Sequence, residues 1–197
     1  MKYFFTCDLH MGHSNIIRYT NRPMLKPTDL DEKGNWISKY IEKIRTKEMD
    51  ELIIKNWNSR VKEEDTVFVI GDFCFNKSSE APTGNVFDYY RKQLNGNIIF
   101  IKGNHDRNNK NKSKIISLVI QINNQLINMV HDPAHADERF KINLVGHVHN
   151  NFEIKRIRKG FGFTDCINVG VDVWKFLPVT FDEIWSRYNK WLKNENK

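Results

Sequence analysis

The sequence predicts an α/β domain in which strands first alternate with helices and later follow one another closely. Two observations support this class. Short apolar runs of strand length, rich in Val, Ile and Phe and bounded by polar residues, recur along the 197 residues. A long helical stretch separates the first two runs, whereas the later runs lie closer together. We therefore expect strand–helix units in the first half and a hairpin-rich second half.

Six apolar runs are predicted as strands because each has strand length and the composition of a buried strand. They are Lys2–Cys7, Thr66–Ile70, Asn97–Ile101, Leu126–Val130, Ile142–Val145 and Cys166–Val169.

Three segments are predicted as helices. The first lies between the first two strands, and its apolar residues fall roughly on one face, with charges on the other. These residues are Ile37, Ile41, Ile44, Leu52 and Trp57. A short helix around Phe87 and Tyr90 precedes the third strand. Near the end, Thr180 and Glu183 have the spacing of a capping box that opens a helix through Leu192.

The composition fits a single domain spanning residues 1–197, because no repeat, low-complexity tract or long linker divides the chain. Hydrophobic residues make up 40% of the chain, and no apolar run reaches the length of a membrane span. The first apolar run is too short for a signal peptide. Three scattered cysteines without CxxC spacing argue against a disulfide framework or a zinc knuckle. We therefore expect a cytoplasmic protein with no membrane partner.

The chain carries 31 Lys and Arg against 24 Asp and Glu, a formal charge of +7. A basic surface favours polyanionic partners such as nucleotides or nucleic acid. The abundance of Lys, Asn and Ile explains the same charge without any binding function. Charge alone leaves both interpretations open.

Five polar segments begin where apolar runs end, which is where α/β folds place their chemistry. All seven histidines, at 10, 13, 105, 131, 135, 147 and 149, lie in or near these segments. Carboxylate, imidazole and amide groups without thiolates suit hard or borderline divalent metal ions. The pattern predicts a metal site built from Asp8-Leu9-His10, Gly71-Asp72, Gly103-Asn104-His105-Asp106, His131 and Gly146-His147-Val148-His149.

In this order, the segments resemble the DxH, GD, GNHD, H and GHxH blocks of the calcineurin-like metallophosphoesterases, from Asp8 to His149. The resemblance implies an α/β fold of two mixed sheets flanked by helices, in a four-layer α/β/β/α sandwich. It also implies two divalent metal ions at the strand ends. Mn²⁺ is the expected ion, with Fe²⁺, Ni²⁺, Zn²⁺ and Mg²⁺ as alternatives.

The same resemblance assigns a role to each motif residue. Asp72 would bridge two ions; the first would be held by Asp8, His10 and His149, and the second by Asn104, His131 and His147. His105 would not be a ligand but a catalytic residue that stabilises the phosphoryl oxygens or protonates the leaving oxygen. Asp106 would orient His105 or the local backbone, or alternatively cap the following turn.

The second block departs from the GDxxDRG form of the protein Ser/Thr phosphatases in this superfamily. Phe75 stands where those enzymes have Asp and where purple acid phosphatases have Tyr, and the Arg is absent. The first block continues to His13 and Asn15 as DxHxGHxN. This extended block resembles that of small bacterial and phage phosphoesterases, which often act on phosphodiesters.

Three further residues are predicted to bind substrate. His13 would contact substrate or water, or cap a helix. Arg22 would clamp a phosphate or form a surface salt bridge. Arg107 opens a basic loop with Lys110, Lys112 and Lys114, and a second basic cluster comprises Lys155, Arg156, Arg158 and Lys159. Both clusters suit either a phosphate backbone or solvated loops. His135 is predicted as a loop residue near the site, and residues 76–84 as a candidate lid.

The sequence thus predicts a hydrolase in which a metal-bridging hydroxide attacks phosphorus in a phosphoester. A phosphodiester of nucleotide-like character is the expected substrate. A nuclease acting on longer nucleic acid and a non-catalytic scaffold of the same fold are the alternatives.

Overall fold

The computed structural model describes residues 1–75, 85–107 and 113–195, without the side chain of Arg107. The candidate lid at 76–84 and the predicted basic residues Lys110 and Lys112 lie outside the described residues.

The first sheet has four strands in the order β3-β2-β1-β9. Strands β1 (Tyr3–Thr6), β2 (Thr66–Ile70) and β3 (Asn97–Ile101) are parallel, and the short β9 (Val179–Thr180) pairs antiparallel with β1. Three predicted strands are therefore confirmed, and their carboxyl ends meet at one edge of this sheet.

The second sheet has five strands in the order β4-β5-β6-β8-β7. β5 and β6 are parallel, as are β6 and β8, whereas β4 and β7 pair antiparallel at the two edges. Two hairpins, β4–β5 and β7–β8, confirm the predicted hairpin-rich second half. The strands are β4 (Ser117–Ile122), β5 (Gln125–Val130), β6 (Ile142–Val145), β7 (Ile154–Lys159) and β8 (Gly162–Asn168).

The helices are α1 (Ser14–Tyr19), α2 (Lys39–Arg60), α3 (Val86–Arg91) and α4 (Phe181–Glu195). The predicted capping box is present at α4: the Thr180 amide donates to Glu183 at 2.8 Å, and the Glu183 amide donates to the Thr180 hydroxyl at 3.4 Å. None of the helices in the described residues has the length and apolarity needed to cross a membrane.

The predicted apolar face of α2 is confirmed only at Leu52, which is partly buried against the core, and at Trp57, which is buried. Ile37 precedes the helix and is 55% exposed, and Ile41 and Ile44 are only partly buried. The buried face includes charged residues instead, among them Arg45 and Asp50. Apolar periodicity missed this face because the charges are paired inside: the Arg45 guanidinium donates to Asp29 at 2.7 Å.

The sheets divide the interior into two cores because alternate residues of each strand face opposite sides. Phe4 and Val67 pack with α1, α2 and α3, whereas Phe5 and Phe68 pack against the second sheet. Residues of α4 belong to the core between the sheets. The predicted fold class, two mixed sheets flanked by helices, is confirmed.

Three strands were missed by apolar patterning: the two-residue β9, β4 and β7. β4 alternates partly buried and exposed residues, and β7 contains the second basic cluster. The cluster therefore lies on an edge strand and not on a solvated loop. Charged side chains on an edge strand are a usual protection against pairing with another sheet.

A row of hydrogen-bonded polar side chains crosses the middle of the second sheet on its outer face. Ser117 donates to Asn128, Asn128 to Asn143 and Asn143 to Thr164, each at 2.7 Å. Asn143 also accepts from the Asp137 amide at 3.0 Å. Asn128, Asn143 and Thr164 are buried, so the row links four strands and secures the segment that covers them.

Substitution Asn143→Ala should lower the free energy of unfolding by about 2–4 kcal/mol. It removes several hydrogen bonds and leaves buried partners without replacements. Urea unfolding followed by circular dichroism measures the change. The control Asn151→Ala, on the exposed surface, should change stability by less than about 0.5 kcal/mol. Equal effects at the two positions would show that the row contributes nothing to stability.

Candidate metal centre

The loops after β1 and β2 run side by side and bring their polar residues together. The His10 amide donates to the Asp72 carbonyl at 3.0 Å, and the Met11 amide donates to Phe73 at 3.1 Å. The loop after β6 joins them, because the His147 amide donates to the Asp8 carboxylate at 2.9 Å. Segments more than one hundred residues apart therefore share one site.

Two groups of side chains lie close enough to hold a metal ion. The ligand atoms of Asp8, His10 and His149 lie within 4.8 Å of one another, as do those of Asp8, Asp72 and His131. The first group matches three residues predicted for one ion. Asp8 belongs to both groups, and the second group places it beside Asp72.

Asn104 and His147 complete the predicted ligand set at its solvent-exposed side. The Asn104 amide oxygen lies 2.9 Å from His131 Nε2 and 2.9 Å from His147 Nδ1. His131 Nε2 is also 3.2 Å from the Asp72 carboxylate. All seven predicted ligands thus converge on one edge of the first sheet, although their assignment to two ions stays a prediction.

Five of the predicted ligands have left-handed backbone conformations. Such conformations are uncommon outside glycine and cost about 1–2 kcal/mol per residue. Asp, Asn and His tolerate them better than most residues. Their presence at the tips of the site loops marks backbone strain at the site. The φ values are +55° for Asp8, +52° for His10, +54° for Asp72, +69° for His147 and +49° for His149.

Two glycines allow these loops to approach one another. A Cβ atom on Gly103 would overlap the Asp72 carboxylate and amide, and a Cβ on Gly71 would overlap the His131 ring. Gly71 also has a φ of +91°. A side chain at Gly103 would displace Asp72, and one at Gly71 would displace His131.

The residues fit a bound divalent metal. His10 is buried, and its Nε2 atom has no hydrogen-bond partner among the described residues. A buried polar atom without a partner is costly unless something else binds it. Burial holds the pKa of His10 well below its ordinary value, so the ring is neutral and has a lone pair to offer.

The two buried carboxylates experience different environments. Burial raises the pKa of Asp8, and nearby His131 and His149 oppose this only in part. Burial also acts to raise the pKa of Asp72, but the hydrogen bond and charge of His131 outweigh it, so this pKa lies well below its usual value. These same carboxylates raise the pKa of His131 to about 9, despite its burial. In the free protein His131 therefore acts as the counter-charge of this pair.

Two histidines have acceptors at their Nδ1 atoms that lie outside the predicted ligand set. His131 Nδ1 lies 2.8 Å from the Ile70 carbonyl, and His149 Nδ1 lies 2.8 Å from the Asp172 carboxylate. An acceptor at Nδ1 leaves Nε2 available as a metal ligand and fixes the ring plane. Sequence analysis missed Asp172, which lies outside the recognisable blocks and 23 residues after His149.

The predicted contact between Arg22 and a phosphate is not supported, because the Arg22 guanidinium lies inside the protein. Its guanidinium donates to the Asp8 and Leu9 carbonyls at 2.7 and 2.9 Å and to Asp172 at 2.9 Å. The side chain is fully buried. The alternative prediction was a surface salt bridge. Arg22 does form a salt bridge, but it is buried and supports the strained loop at Asp8.

Asp106 is buried and orients backbone, one of the roles left open by the sequence. Its carboxylate accepts from the amides of Asp72, Phe73 and Gly103 at 2.8–3.1 Å. It thereby fixes the loop after β2 to the loop after β3. This position is inside the protein, so the structure does not bring Asp106 to the reacting side as a catalytic group.

His13 and His105 lie beside His10 at the mouth of the site. His13 occupies the N-cap position of α1 but makes no capping hydrogen bond with its side chain. Its ring stacks on Phe75 with centroids 4.3 Å apart, and its Nδ1 lies 3.4 Å from His10 Nδ1. His105 is exposed, and its ring centroid lies 5.3 Å from that of His10.

The remaining predicted residues border the site or fall outside it. His135 ends a short 3-10 turn, Pro133–His135, and is exposed, as expected for a loop residue. The prediction for Arg107 concerns a side chain outside the described residues. Cys7 and Cys74 are buried thiols, and burial raises the pKa of both. Both cysteines thus behave as small buried apolar residues.

Comparison with known proteins supports the fold. No protein-family profile matches the chain. It is 28% identical over 187 residues to the uncharacterized protein MJ1445 of Methanocaldococcus jannaschii, covering 93% of this chain and 89% of that protein. The crystal structure of AQ665 from Aquifex aeolicus, a protein of unknown function, is similar with a TM-score of 0.61 and 20% identity, over 93% and 97% of the two chains.

A predicted phosphoesterase from Streptococcus pneumoniae TIGR4 is more distantly similar, with a TM-score of 0.38 and 16% identity over 85% of this chain and 71% of that one. AQ665, with the higher TM-score, shows that the two-sheet architecture occurs in another protein of nearly the same extent.

Substitution Arg22→Lys should lower the free energy of unfolding by about 3 kcal/mol or more. Lysine cannot reproduce the planar set of donors, so the buried Asp172 carboxylate and two carbonyls lose partners. Chemical denaturation measures the change. The matched control is Arg139→Lys, because Arg139 also pairs with an aspartate, Asp137, but is 81% exposed. We expect a change below about 1 kcal/mol there; similar losses for both variants would contradict the supporting role of Arg22.

Proposed function

We propose that this protein is a metal-dependent phosphoesterase of the calcineurin-like kind. The observation that carries the proposal is the convergence of buried carboxylates and imidazoles around His10 Nε2, a buried atom that makes no hydrogen bond to the described residues. Bound divalent ions would supply a water of lowered pKa and positive charge for the phosphoryl oxygens. The ordered sequence blocks independently support the same chemistry.

The protein's own residues have separate tasks in this proposal. Asp8, His10 and His149 would hold one ion, and Asn104, His131 and His147 the other, with Asp72 between them. Ile70 and Asp172 fix the rings of His131 and His149 through their Nδ1 atoms. His105 is exposed at the mouth, where it can donate a proton or hydrogen bond to an ester oxygen. Arg22 and Asp106 hold the loops and do not contact substrate.

A phosphodiester is the proposed substrate class. The side of the site near His10 is lined by the stacked rings of His13 and Phe75. Because residue 75 is phenylalanine, it cannot supply the carboxylate or phenol found at this position in other subfamilies. The neutral His13 ring adds no positive charge there, because burial lowers its pKa to about 4. A diester carries one negative charge less than a fully ionised monoester, which suits such a site.

A nuclease acting on longer chains is the second candidate. Phe161 is fully exposed at the tip of the β7–β8 hairpin and Phe163 is 63% exposed, so both could stack on bases. Two side chains of the adjoining basic cluster already have partners within the protein: Arg156 is paired with Asp165 at 2.7 Å, and Lys159 donates to the Ala134 carbonyl. The hairpin therefore supports this candidate less than the charge count alone suggests.

Removal of metal should abolish hydrolysis. We expect chelator-treated protein to cleave neither bis-p-nitrophenyl phosphate nor p-nitrophenyl phosphate. Mn²⁺, Ni²⁺, Zn²⁺ or Mg²⁺, added separately, should restore cleavage, with the diester preferred. Absorbance of released nitrophenolate measures both reactions. No cleavage of either ester with any ion, despite measurable metal binding, would favour a scaffold or a narrowly specific enzyme.

Substitution Asp72→Asn should reduce kcat/KM for the diester at least about 100-fold, because it removes the carboxylate proposed to bridge the ions. Metal content, measured by elemental analysis, should fall with it. The control Asp182→Asn lies on the exposed surface of α4 and should keep both activity and metal. Unchanged activity in the Asp72→Asn variant would refute the proposed site.

A further inference from the structure

A cavity of about 460 Å³ opens beside the metal centre on the side of the second sheet. Its wall includes Asn104 and His131, two of the proposed ligands, together with Lys102, Ile116 and His135. A cavity of this volume is within the range that holds small-molecule ligands. The shared residues place any occupant next to the proposed metal site.

The cavity wall combines an apolar surface with a cation. Ile116 is 73% exposed, an unusual position for a large aliphatic side chain, and Val130 adds a second apolar group. Lys102 is half-buried, and in the described part of the chain no salt bridge is formed by its ammonium group. A half-buried cation without a counter-ion favours an anionic ligand.

Among the titratable side chains that line the cavity, we assign the binding of an anion to Lys102. The Asp132 carboxylate accepts the Ala134 amide at 2.7 Å as the cap of a short turn. His135 is exposed at the end of the same turn. Lys102 lies two residues before Asn104, so their Cα atoms are at most about 7 Å apart. Lys102 therefore lies close to a proposed metal ligand without belonging to the proposed ligand set.

We propose that this cavity binds one ester arm of a linear phosphodiester and that Lys102 pairs with a second phosphate on that arm. The sugar and base of a nucleotide would pack on Ile116 and Val130. The inference rests on the proposed phosphoesterase function and narrows its substrate class to linear nucleotides with at least two phosphates. A 3′,5′-cyclic mononucleotide has neither a separate arm nor a second phosphate.

Binding of two thymidine nucleotides tests the role of Lys102. In isothermal titration of Mn²⁺-loaded protein, thymidine 3′,5′-bisphosphate should bind roughly tenfold more tightly than thymidine 5′-monophosphate. Lys102→Gln should reduce the difference to about twofold or less, the advantage expected from a second phosphate alone. Lys102→Arg should keep most of the preference because it keeps the charge. Lys55→Gln, on the exposed surface of α2, is the control and should keep it fully.

Catalysis provides a second readout. The ratio of kcat/KM for 5′-phosphorylated thymidylyl-thymidine to that for the unphosphorylated dinucleotide should fall in Lys102→Gln, and a ratio cancels any general loss of activity. Equal affinity of the wild type for the two mononucleotides, or an unchanged preference in Lys102→Gln, would overturn the inference. Cleavage of bis-p-nitrophenyl phosphate reports separately on the proposed function, and the binding comparison decides the inference even if no ester is cleaved.

Discussion

The burial of two carboxylates at adjacent strand ends is the constraint on which the site depends. Asp8 and Asp72 are both almost fully buried, and burying a charge is costly unless it is paired and hydrogen-bonded. The His147 amide and His131 ring serve this purpose, and the His105 amide donates to Asp72 at 2.9 Å. Burial still raises the pKa of Asp8, so the ionised form of this carboxyl is disfavoured, and a bound cation would stabilise it.

The same constraint explains the supporting residues. A strained left-handed residue persists only where its surroundings hold it. Arg22 holds the loop after β1 through two carbonyls, and Asp106 holds the loops after β2 and β3 through three amides. Asp172 connects Arg22 to His149. The backbone strain at the ligand positions is therefore offset by buried charges that themselves lie outside the predicted ligand set.

The sequence predicts the strand ends and the converging polar residues because both depend on local pattern. Buried strands such as Thr66–Ile70 are continuous apolar runs, and the residue after each run must lie at the sheet edge. Arg22 and Asp172 were misjudged or missed because they are 150 residues apart and pair only in the folded chain. The buried charges of α2 were missed for the same reason. Long-range charge pairs leave no periodic signal in one sequence.

The two flanks of the centre differ in what they offer a substrate. On the side of the first sheet, the Phe75–His13 stack places two neutral rings against His10, and α1 follows directly. On the side of the second sheet, the wall opens into the cavity with Ile116 and Lys102. In the proposed phosphoesterase every substrate would meet the same metal ligands, so we expect discrimination between esters to come from these flanks. The cationic, partly apolar flank is the one that would distinguish a nucleotide arm from a simple phosphate.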